Sequence, residues 1–301
     1  MDQTFLGYLI YRFVGLVAPL VPPRLGYAIA RRLGDLGFGV LARSRSNVLD
    51  NLRHVLGQRT DPGRLRRLAR QAFRTQACNY FDLFRVARLS PESTEALVTV
   101  HGWHHVEQAM AAGKGVVLVS AHFGNLDIVA QAIVLRGFRV IVAAEHLRPE
   151  RLFRYVSSLR ASKGMRIIPA DGFARPLFAA LWNNEIVGLA ADRNLTGRGV
   201  LVPFFGEPAL LPDGHARVAR RTGARVLLAF ALRRPDDRFD AFVEPPIVVE
   251  DTGDAERDIN LGMLRVVAGL EKFIGRFPEQ WVMFQPVWRL PKSQAQGCPE
   301  S

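Results

Sequence analysis

Short apolar segments alternate with helical segments from about residue 100 onward, and this alternation constrains the fold more than any other feature of the sequence. The apolar segments have the length and composition of buried strands, and they cover residues 115–120, 138–143, 165–168, 186–190 and 224–230. Helical spacing covers residues 126–136, 150–162, 174–183 and 214–222. Strands that alternate with helices form βαβ units, so the sequence predicts an α/β fold with a mostly parallel central sheet flanked by helices.

The two ends of the chain extend this prediction. Residues 239–243 are expected to add an edge strand, and residues 258–277 a long C-terminal helix. Helical spacing near the N-terminus predicts a helical region over residues 1–95, followed by an α/β core over residues 96–290. The polar residues 291–301 are predicted to form a disordered tail.

The first helical segment is apolar enough to meet a membrane. Residues 4–21 have about the length of a bilayer span, but Arg12 stands in their middle. An arginine at the centre of a bilayer costs about 3 kcal/mol. We therefore expect a membrane-associating helix that lies in the interface rather than one that crosses the bilayer. A helix buried in the protein core is the alternative.

The charge of the chain points to an anionic partner. Lys and Arg number 40 against 28 Asp and Glu, which gives a formal net charge of +12. Such a surplus suits nucleic acid, an acidic membrane or a phosphorylated substrate. Residues 43–74 hold nine Arg and two Asp, and they flank apolar helices. This arrangement favours an anionic membrane surface, and no nucleic acid is expected as a partner.

A histidine follows the first predicted strand, in the run Ser120-Ala-His122-Phe-Gly124-Asn125-Leu-Asp127. In open α/β sheets, ligands bind beyond the carboxyl ends of the strands. Gly124 and Asn125 suit a break between strand and helix, and this break would let Asp127 reach back to His122. A carboxylate in that position can orient an imidazole that acts as a general base. A structural histidine is the alternative for this motif taken alone.

Two other predicted strands also end in charged residues. One is followed by Asp192, Arg193 and Arg198, and another by Glu145. Because parallel strands bring their carboxyl ends to one edge of the sheet, we expect these side chains near His122. Both arginines suit bidentate binding of a phosphate, and solvated surface positions are the alternative for them.

Together these motifs resemble those of the bacterial lysophospholipid-acyltransferase-like superfamily. The resemblance is to the branch that holds lipid A biosynthesis acyltransferases and phosphatidylinositol mannoside acyltransferases, and it covers about residues 5 to 290. The run around Glu145 looks more like the mannoside enzymes, whereas Asp192 is closer to the lipid A enzymes. The matching pieces are His122-x4-Asp127, Ala-Ala-Glu145-His-Leu-Arg-Pro-Glu, Asp192-Arg-Asn-Leu-Thr-Gly, Phe204-Phe-Gly-Glu-Pro, Arg220-Arg-Thr-Gly-Ala224 and Pro278-Glu-Gln-Trp-Val-Met-Phe-Gln-Pro-Val-Trp288.

The resemblance implies an O-acyltransferase that moves a fatty acyl group from a thioester, acyl-CoA or acyl carrier protein, to a hydroxyl of a lipid or glycolipid. It implies that His122 is the general base, that Asp127 orients it, and that Asp192 and Glu145 are further site residues. Asp192 is expected in the catalytic set, either on the other side of the imidazole or on the acceptor. A thioester is already activated, so no covalent enzyme intermediate is required. No metal is expected, and no cofactor beyond the thioester co-substrate.

The remaining candidate residues are assigned to substrate binding. Glu145, Arg193 and Arg198 are expected to contact the donor or the acceptor. Backbone amides near Gly124 and Asn125, at the start of the following helix, are expected to stabilise the oxyanion.

These properties predict a protein at the cytoplasmic face of the cell (inner) membrane, bound peripherally or anchored through its N-terminal segment. Its expected partners are the anionic membrane surface, the lipid acceptor and the acyl thioester donor. Two alternatives remain open. One is a non-catalytic membrane-binding protein with an acyltransferase fold, and the other is a basic nucleic-acid-binding protein.

Overall fold

The computed structural model describes residues 3–172, 174–194 and 197–289, so the predicted tail lies outside the described residues. The N-terminal part is helical, as the sequence predicted. Proline stands in the first turn of three of its helices, where a missing N–H costs nothing. The helices are α1 (Gln3–Val17), α2 (Pro23–Val40), α3 (Ala42–Leu56), α4 (Pro62–Val86) and α5 (Pro91–Glu95), with a 3₁₀ turn at Ala18–Leu20.

The second part of the chain alternates strands and helices. The strands are β1 (Val98–His101), β2 (Val116–Ser120), β3 (Val140–Ala144), β4 (Arg166–Pro169), β5 (Ile186–Ala190), β6 (Val200–Phe204), β7 (Glu207–Leu211), β8 (Arg225–Arg233) and β9 (Phe239–Val243). The helices are α6 (Trp103–Ala111), α7 (Leu126–Leu135), α8 (Glu150–Arg160), α9 (Arg175–Trp182), α10 (Gly214–Thr222) and α11 (Ala255–Arg276), with 3₁₀ turns at Ala161–Lys163 and Pro278–Gln280.

One seven-stranded sheet forms the centre of the protein, in the order β1-β9-β8-β2-β5-β3-β4. The strands from β8 to β4 run parallel to one another, with Val116 of β2 opposite both Ile186 of β5 and Arg225 of β8. β9 is antiparallel to β8, and β1 is parallel to β9. The predicted α/β fold with a mostly parallel sheet flanked by helices is therefore confirmed. The carboxyl ends of the parallel strands lie along one edge.

Two features of the strand arrangement differ from the prediction. Phe239–Val243 forms a strand as expected, but it is not the edge, because β1 lies outside it. The short β1 has only Val98 and Val100 as apolar residues, so it gives little signal in the sequence. The separate antiparallel hairpin of β6 and β7 was not predicted either. Pro203 and Pro208 stand inside its strands, where proline is unusual.

Helices cover both faces of the sheet. Successive residues of a strand point to opposite faces, so β2 contributes to two cores. Val117 and Val119 pack with Leu181 of α9 and Leu270 of α11, in a core that also includes α10. On the other face, Val116 packs in a core with α6 and α7.

Residues 277–289, here called the C-terminal strap, connect the N-terminal helices to the α/β core. Asn51 of α3 donates a hydrogen bond from its amide to the carbonyl of Gln285 at 2.8 Å. Trp288 stacks on Phe204 of β6, with ring centroids 5.3 Å apart. The strap therefore contacts α3 and the hairpin at the same time.

The helix α2 leaves a row of apolar side chains exposed at three- and four-residue spacing, here called the apolar ridge. Its opposite face buries Tyr27 and Ala30 in a cluster with α4. Exposed apolar residues also occur on α1. In the part of the chain that the structure describes, no helix has both the length and the apolar character to cross a membrane. The apolar ridge consists of Leu25, Ile29, Leu33, Leu36 and Val40.

Candidate active site

The carboxyl ends of β2, β5 and β3 lie next to one another, and each is followed by a predicted site residue. Ser120 at the end of β2 pairs in register with Ala190 at the end of β5. His122 and Asp192 each follow their strand by two residues, and Glu145 directly follows β3. The register of β2 and β5 therefore brings His122 and Asp192 together.

His122 and Asp192 form a hydrogen-bonded pair. The ring Nδ1 of His122 lies 2.8 Å from Oδ1 of Asp192. The backbone N–H of His122 donates to Oδ2 of the same carboxylate, also at 2.8 Å. Because the carboxylate accepts the Nδ1 proton, Nε2 of the neutral ring carries the lone pair. The side chain of His122 is 41% exposed, so a substrate can approach Nε2.

Asp192 is fully buried, and three donors compensate for its lost hydration. A buried carboxylate is tolerated only where hydrogen bonds or charges satisfy it. Two of its bonds come from His122, and the third comes from Nε1 of Trp281 in the C-terminal strap, which donates to Oδ2 at 2.8 Å. A carboxylate fixed in this way can hold an imidazole in one tautomer and orientation.

His122 and Asp192 shift each other's pKa in opposite directions. Burial lowers the pKa of His122, but the charge of Asp192 and its hydrogen bond to the ring outweigh burial, so the pKa lies above its ordinary value of 6.5. Burial raises the pKa of Asp192, but the ring of His122 and the N–H of Trp281 outweigh it, so this pKa lies below 3.8. Asp192 is therefore ionised at neutral pH and stabilises the imidazolium form of His122.

The expected contact between Asp127 and His122 is wrong. Asp127 lies in the first turn of α7, and its Oδ2 accepts a hydrogen bond from Nε of Arg160 in α8 at 2.9 Å. Across the residues with described positions, the hydrogen bonds of the His122 ring are made with Asp192. The sheet explains the difference, because β5 delivers Asp192 directly beside Nδ1, whereas α7 carries Asp127 toward α8. A catalytic role for Asp127 stays a prediction.

Gly124 and Asn125 hold the turn that carries His122. The N–H of Gly124 donates to the carbonyl of Gln280 at 2.8 Å. This N–H is therefore already bonded and cannot serve the oxyanion for which it was predicted. A Cβ atom at Gly124 would lie 1.4 Å from the carbonyl oxygen of Ala231, and the residue has a φ of +54°. Only glycine fits there.

Asn125 is buried, and its amide donates to Asp82 at 3.0 Å. Substrate binding by Asn125 stays a prediction.

Glu145 and Arg193 form an ion pair at the same sheet edge. Nη1 and Nη2 of Arg193 donate to the two oxygens of Glu145, at 2.7 and 3.2 Å. A phosphate that binds Arg193 would therefore compete with Glu145. Arg198 lies in the loop before β6, where its carbonyl accepts a hydrogen bond from Asn194 at 2.8 Å. Substrate contact by Glu145, Arg193 and Arg198 stays a prediction.

A cavity of about 230 Å³ opens beside Asp192. Residues after β5 and residues of the C-terminal strap line it together. Two guanidinium groups and two amides in one concavity suit a phosphate or a hydroxyl-rich group. Its polar lining is provided by Asp192, Arg193, Asn194, Gln285 and Arg289.

The chain is similar to a known bacterial protein family over nearly its whole length. Residues 2–290 match the family model of the bacterial lipid A biosynthesis acyltransferases. The chain belongs to this family. The resemblance inferred from the motifs is thereby confirmed. The matched region of the chain includes the His122–Asp192 pair and the C-terminal strap.

Individual relatives within the lipid A acyltransferase family carry two kinds of name. The phosphatidylinositol mannoside acyltransferase of Mycobacterium tuberculosis is 34% identical over 201 residues, which are 65% of this chain and 61% of the relative. The protein of the same name from Mycolicibacterium smegmatis is 30% identical over 73% of this chain and 72% of the relative. The lipid A biosynthesis lauroyltransferase of Escherichia coli is 28% identical over 66% of this chain and 63% of the relative. The match to the M. tuberculosis relative thus spans less than two thirds of that protein.

Trp281 was not identified from the sequence as a hydrogen-bond donor to the candidate site. A buried tryptophan usually finds an acceptor for its N–H, which is a weak signal that the residue has a polar partner. The partner itself, Asp192, lies 89 residues away in the chain, so local spacing could not identify it.

Proposed function

We propose that this chain transfers a fatty acyl group from a thioester donor to a hydroxyl of a glycolipid, with His122 as the general base. The observation that carries the proposal is the pairing of an accessible imidazole with the buried carboxylate of Asp192. This pair lies at the sheet edge where α/β folds bind ligands. Membership of the lipid A biosynthesis acyltransferase family supports the same chemistry.

The reaction follows from the tautomer of His122. Nε2 removes the proton of the acceptor hydroxyl while the oxygen attacks the thioester carbonyl carbon, and a C–O bond forms. The tetrahedral intermediate then collapses, the C–S bond breaks, and the sulfur leaves with the proton that His122 returns. The products are an ester and a free thiol. Asp192 stabilises the imidazolium during the step in which His122 holds this proton.

The acceptor is proposed from the surroundings of the pair and from the relatives. The cavity beside Asp192 offers Arg193, Arg289 and two amides to a polar headgroup. The mannoside acyltransferase of M. tuberculosis is more similar to this chain than the lauroyltransferase of E. coli, at 34% against 28% identity. We therefore place a phospholipid-linked mannoside first and a lipid A precursor second as acceptors.

A membrane surface is the proposed location of the reaction. Leu33 and Leu36 of the apolar ridge are 58% and 60% exposed, and exposed apolar area of this kind favours burial in a bilayer interface. Arg24 and Arg32 are exposed on the same helix and can contact anionic headgroups. We propose that the apolar ridge lies in the cytoplasmic face of the inner membrane, where acyl thioesters and membrane lipids meet.

The proposed activity is tested by transfer of a labelled acyl chain in vesicles. Acyl-CoA and acylated acyl carrier protein are supplied as alternative donors, and a phosphatidylinositol mannoside and a lipid A precursor as alternative acceptors. We expect one acylated lipid and one free thiol per turnover. The donor and acceptor that support turnover identify the substrates.

A matched pair of histidine variants shows whether His122 is the base. His122→Ala should lower the transfer rate by about 10²- to 10⁴-fold. His101→Ala is the control. His101 of β1 is paired with Asp240 of β9, away from the proposed site, so this variant should keep the wild-type rate. Release of thiol without acylated lipid would contradict acyl transfer, and full activity of His122→Ala would contradict the assignment of the base.

Membrane binding is separated from nucleic-acid binding by sedimentation. The protein should sediment with vesicles that contain anionic lipid, and an excess of double-stranded DNA should not release it. Release by DNA would support the alternative of a basic nucleic-acid-binding protein.

A further inference from the structure

A buried polar cluster connects the N-terminal helices to the turn that carries His122. Asp82 of α4 is fully buried and forms an ion pair with Arg233 at the end of β8. Oδ1 of Asp82 accepts a hydrogen bond from the hydroxyl of Tyr27 in α2 at 2.5 Å, and Oδ2 accepts from Asn125 at 3.0 Å. Arg233 also donates to Oδ1 of Asn79, at 2.8 Å.

Two residues of α4 contact the His122 turn directly. Asn79 and Asp82 are three residues apart, so they lie on one face of the helix. The amide of Asn79 donates to the carbonyl of Gly124 at 2.6 Å, while Asp82 accepts from the side chain of Asn125. Gly124 and Asn125 follow His122 by two and three residues, so α4 fixes the chain immediately after the proposed base.

Stability alone does not account for this cluster. Replacing a buried ion pair by apolar residues of similar size is often neutral or stabilising. Within the described part of the chain, Nε and Nη1 of Arg233 are buried and donate no hydrogen bond, although Nη1 lies 3.6 Å from a carboxylate oxygen of Asp237. The charged pair is therefore incompletely satisfied, although Asp82 still presents one oxygen to Asn125. Burial of the Asp82 carboxylate costs desolvation energy, and the carboxylate holds the His122 turn through Asn125. Such a residue suits a role in the orientation of the His122 side chain.

We infer that Asn79 and Asp82 are positioning residues, which hold the turn from His122 to Asn125 so that the imidazole stays on Asp192. The expected effect on kcat rests on the proposed function, whereas the effect on the geometry of the turn does not. The N-terminal helical region thereby has a direct part in the geometry of the site, in addition to membrane contact.

Two variants separate positioning from stability. Asn79→Ala removes the bond to the carbonyl of Gly124. Its control is Thr75→Val, which removes a comparable bond from the same helix to the carbonyl of Glu279, at 3.3 Å, without touching the turn. Asn79→Ala should lower kcat by about 10- to 100-fold with little change in KM, because small displacements of a catalytic group have effects of this size. Thr75→Val should keep the wild-type kcat.

The double variant Asp82→Leu/Arg233→Met removes both charges and keeps apolar volume. We expect it to unfold cooperatively like the wild type, as judged by circular dichroism, and to show the same loss of kcat as Asn79→Ala. A folded double variant with wild-type kcat would mean that the ion pair is only structural, and the assignment of Asp82 would be overturned.

A spectroscopic measurement tests the inference without turnover. The proton on Nδ1 of His122, shared with Asp192, should give a downfield NMR signal that is absent from Asp192→Asn. Asn79→Ala should broaden or abolish this signal, and Thr75→Val should retain it. An unchanged signal in Asn79→Ala would overturn the inference. If the signal is lost in Asn79→Ala and the wild-type protein transfers no acyl group, the inference is upheld and the proposed function is contradicted.

Discussion

Trp281 donates its indole N–H to Oδ2 of Asp192 at 2.8 Å, and both groups are buried. The bond joins the C-terminal strap to the carboxylate that holds His122. It replaces part of the hydration that Asp192 loses on folding, so its removal leaves the carboxylate with one donor fewer.

The first prediction concerns this bond. Trp281→Phe should lower the free energy of unfolding by about 1–3 kcal/mol and reduce the transfer rate, because Asp192 becomes under-solvated. Urea unfolding and the acyltransfer assay measure the two effects. Trp288→Phe is the matched control, since Trp288 donates to the carbonyl of Phe204 instead, at 3.1 Å. Equal losses of activity in both variants would show that only the strap, and not the bond to Asp192, matters.

The second prediction concerns pH. Only the neutral ring of His122 can accept a proton, so the transfer rate should rise with pH, with a midpoint above 6.5 because Asp192 raises the pKa of His122. In Asp192→Asn the charge that raises this pKa is gone while burial still lowers it. The midpoint should therefore move to lower pH, although the maximal rate falls. A pH–rate profile of both proteins checks this, and a midpoint that moves upward in Asp192→Asn would be inconsistent with the pairing.

The third prediction separates Asp192 from Asp127, which the sequence predicted as the partner of His122. Asp192→Asn should lower the rate by about 10²- to 10⁴-fold, because it removes the charge that stabilises the imidazolium and replaces one of two acceptor oxygens by an NH2 group. Asp127→Asn breaks a partly exposed ion pair with Arg160, an interaction worth about 1 kcal/mol or less, so the loss should stay below about tenfold. Steady-state rates of the two variants decide the order. A larger loss in Asp127→Asn would favour the role predicted from the sequence.

The fourth prediction concerns the apolar ridge. Leu33→Ser/Leu36→Ser should weaken binding to anionic vesicles by at least about tenfold, since burial of one leucine contributes roughly 1.5–3 kcal/mol. Leu261→Ser/Leu264→Ser on α11 has the same spacing and similar exposure, at 45% and 43%, and it should bind like the wild type. Vesicle sedimentation measures both. Equal weakening in the two variants would place the membrane contact elsewhere.

The sequence identified both His122 and Asp192 as site residues, but it assigned the orientation of the imidazole to Asp127 and gave Asp192 two alternative places, the other side of the imidazole or the acceptor. His122 and Asp192 were recognisable because each follows a buried strand by two residues. That β2 and β5 are neighbours in the sheet is set by long-range packing, which spacing does not encode. The same limit explains Asp127, because proximity in the chain was taken as proximity in space.

Contacts between distant segments account for most of what the sequence did not reveal. Asp82 and Arg233 are 151 residues apart, and each alone has the appearance of an ordinary charged residue. The short β1 and the proline-containing hairpin lack the long apolar runs that made the central strands clear. Helices and central strands were predictable because their periodicity is local.

The position of the C-terminal strap also affects how the protein is made. Synthesis runs from the N-terminus, and Trp281 is therefore added only after every helix and strand named above has left the peptidyl-transferase centre. A nascent chain that stops before this residue contains both His122 and Asp192 but leaves the carboxylate without the N–H of Trp281. Such a shortened chain would also lack the contacts by which the strap joins α3 to the β6–β7 hairpin, so the polypeptide would lose part of its packing together with the third donor to Asp192.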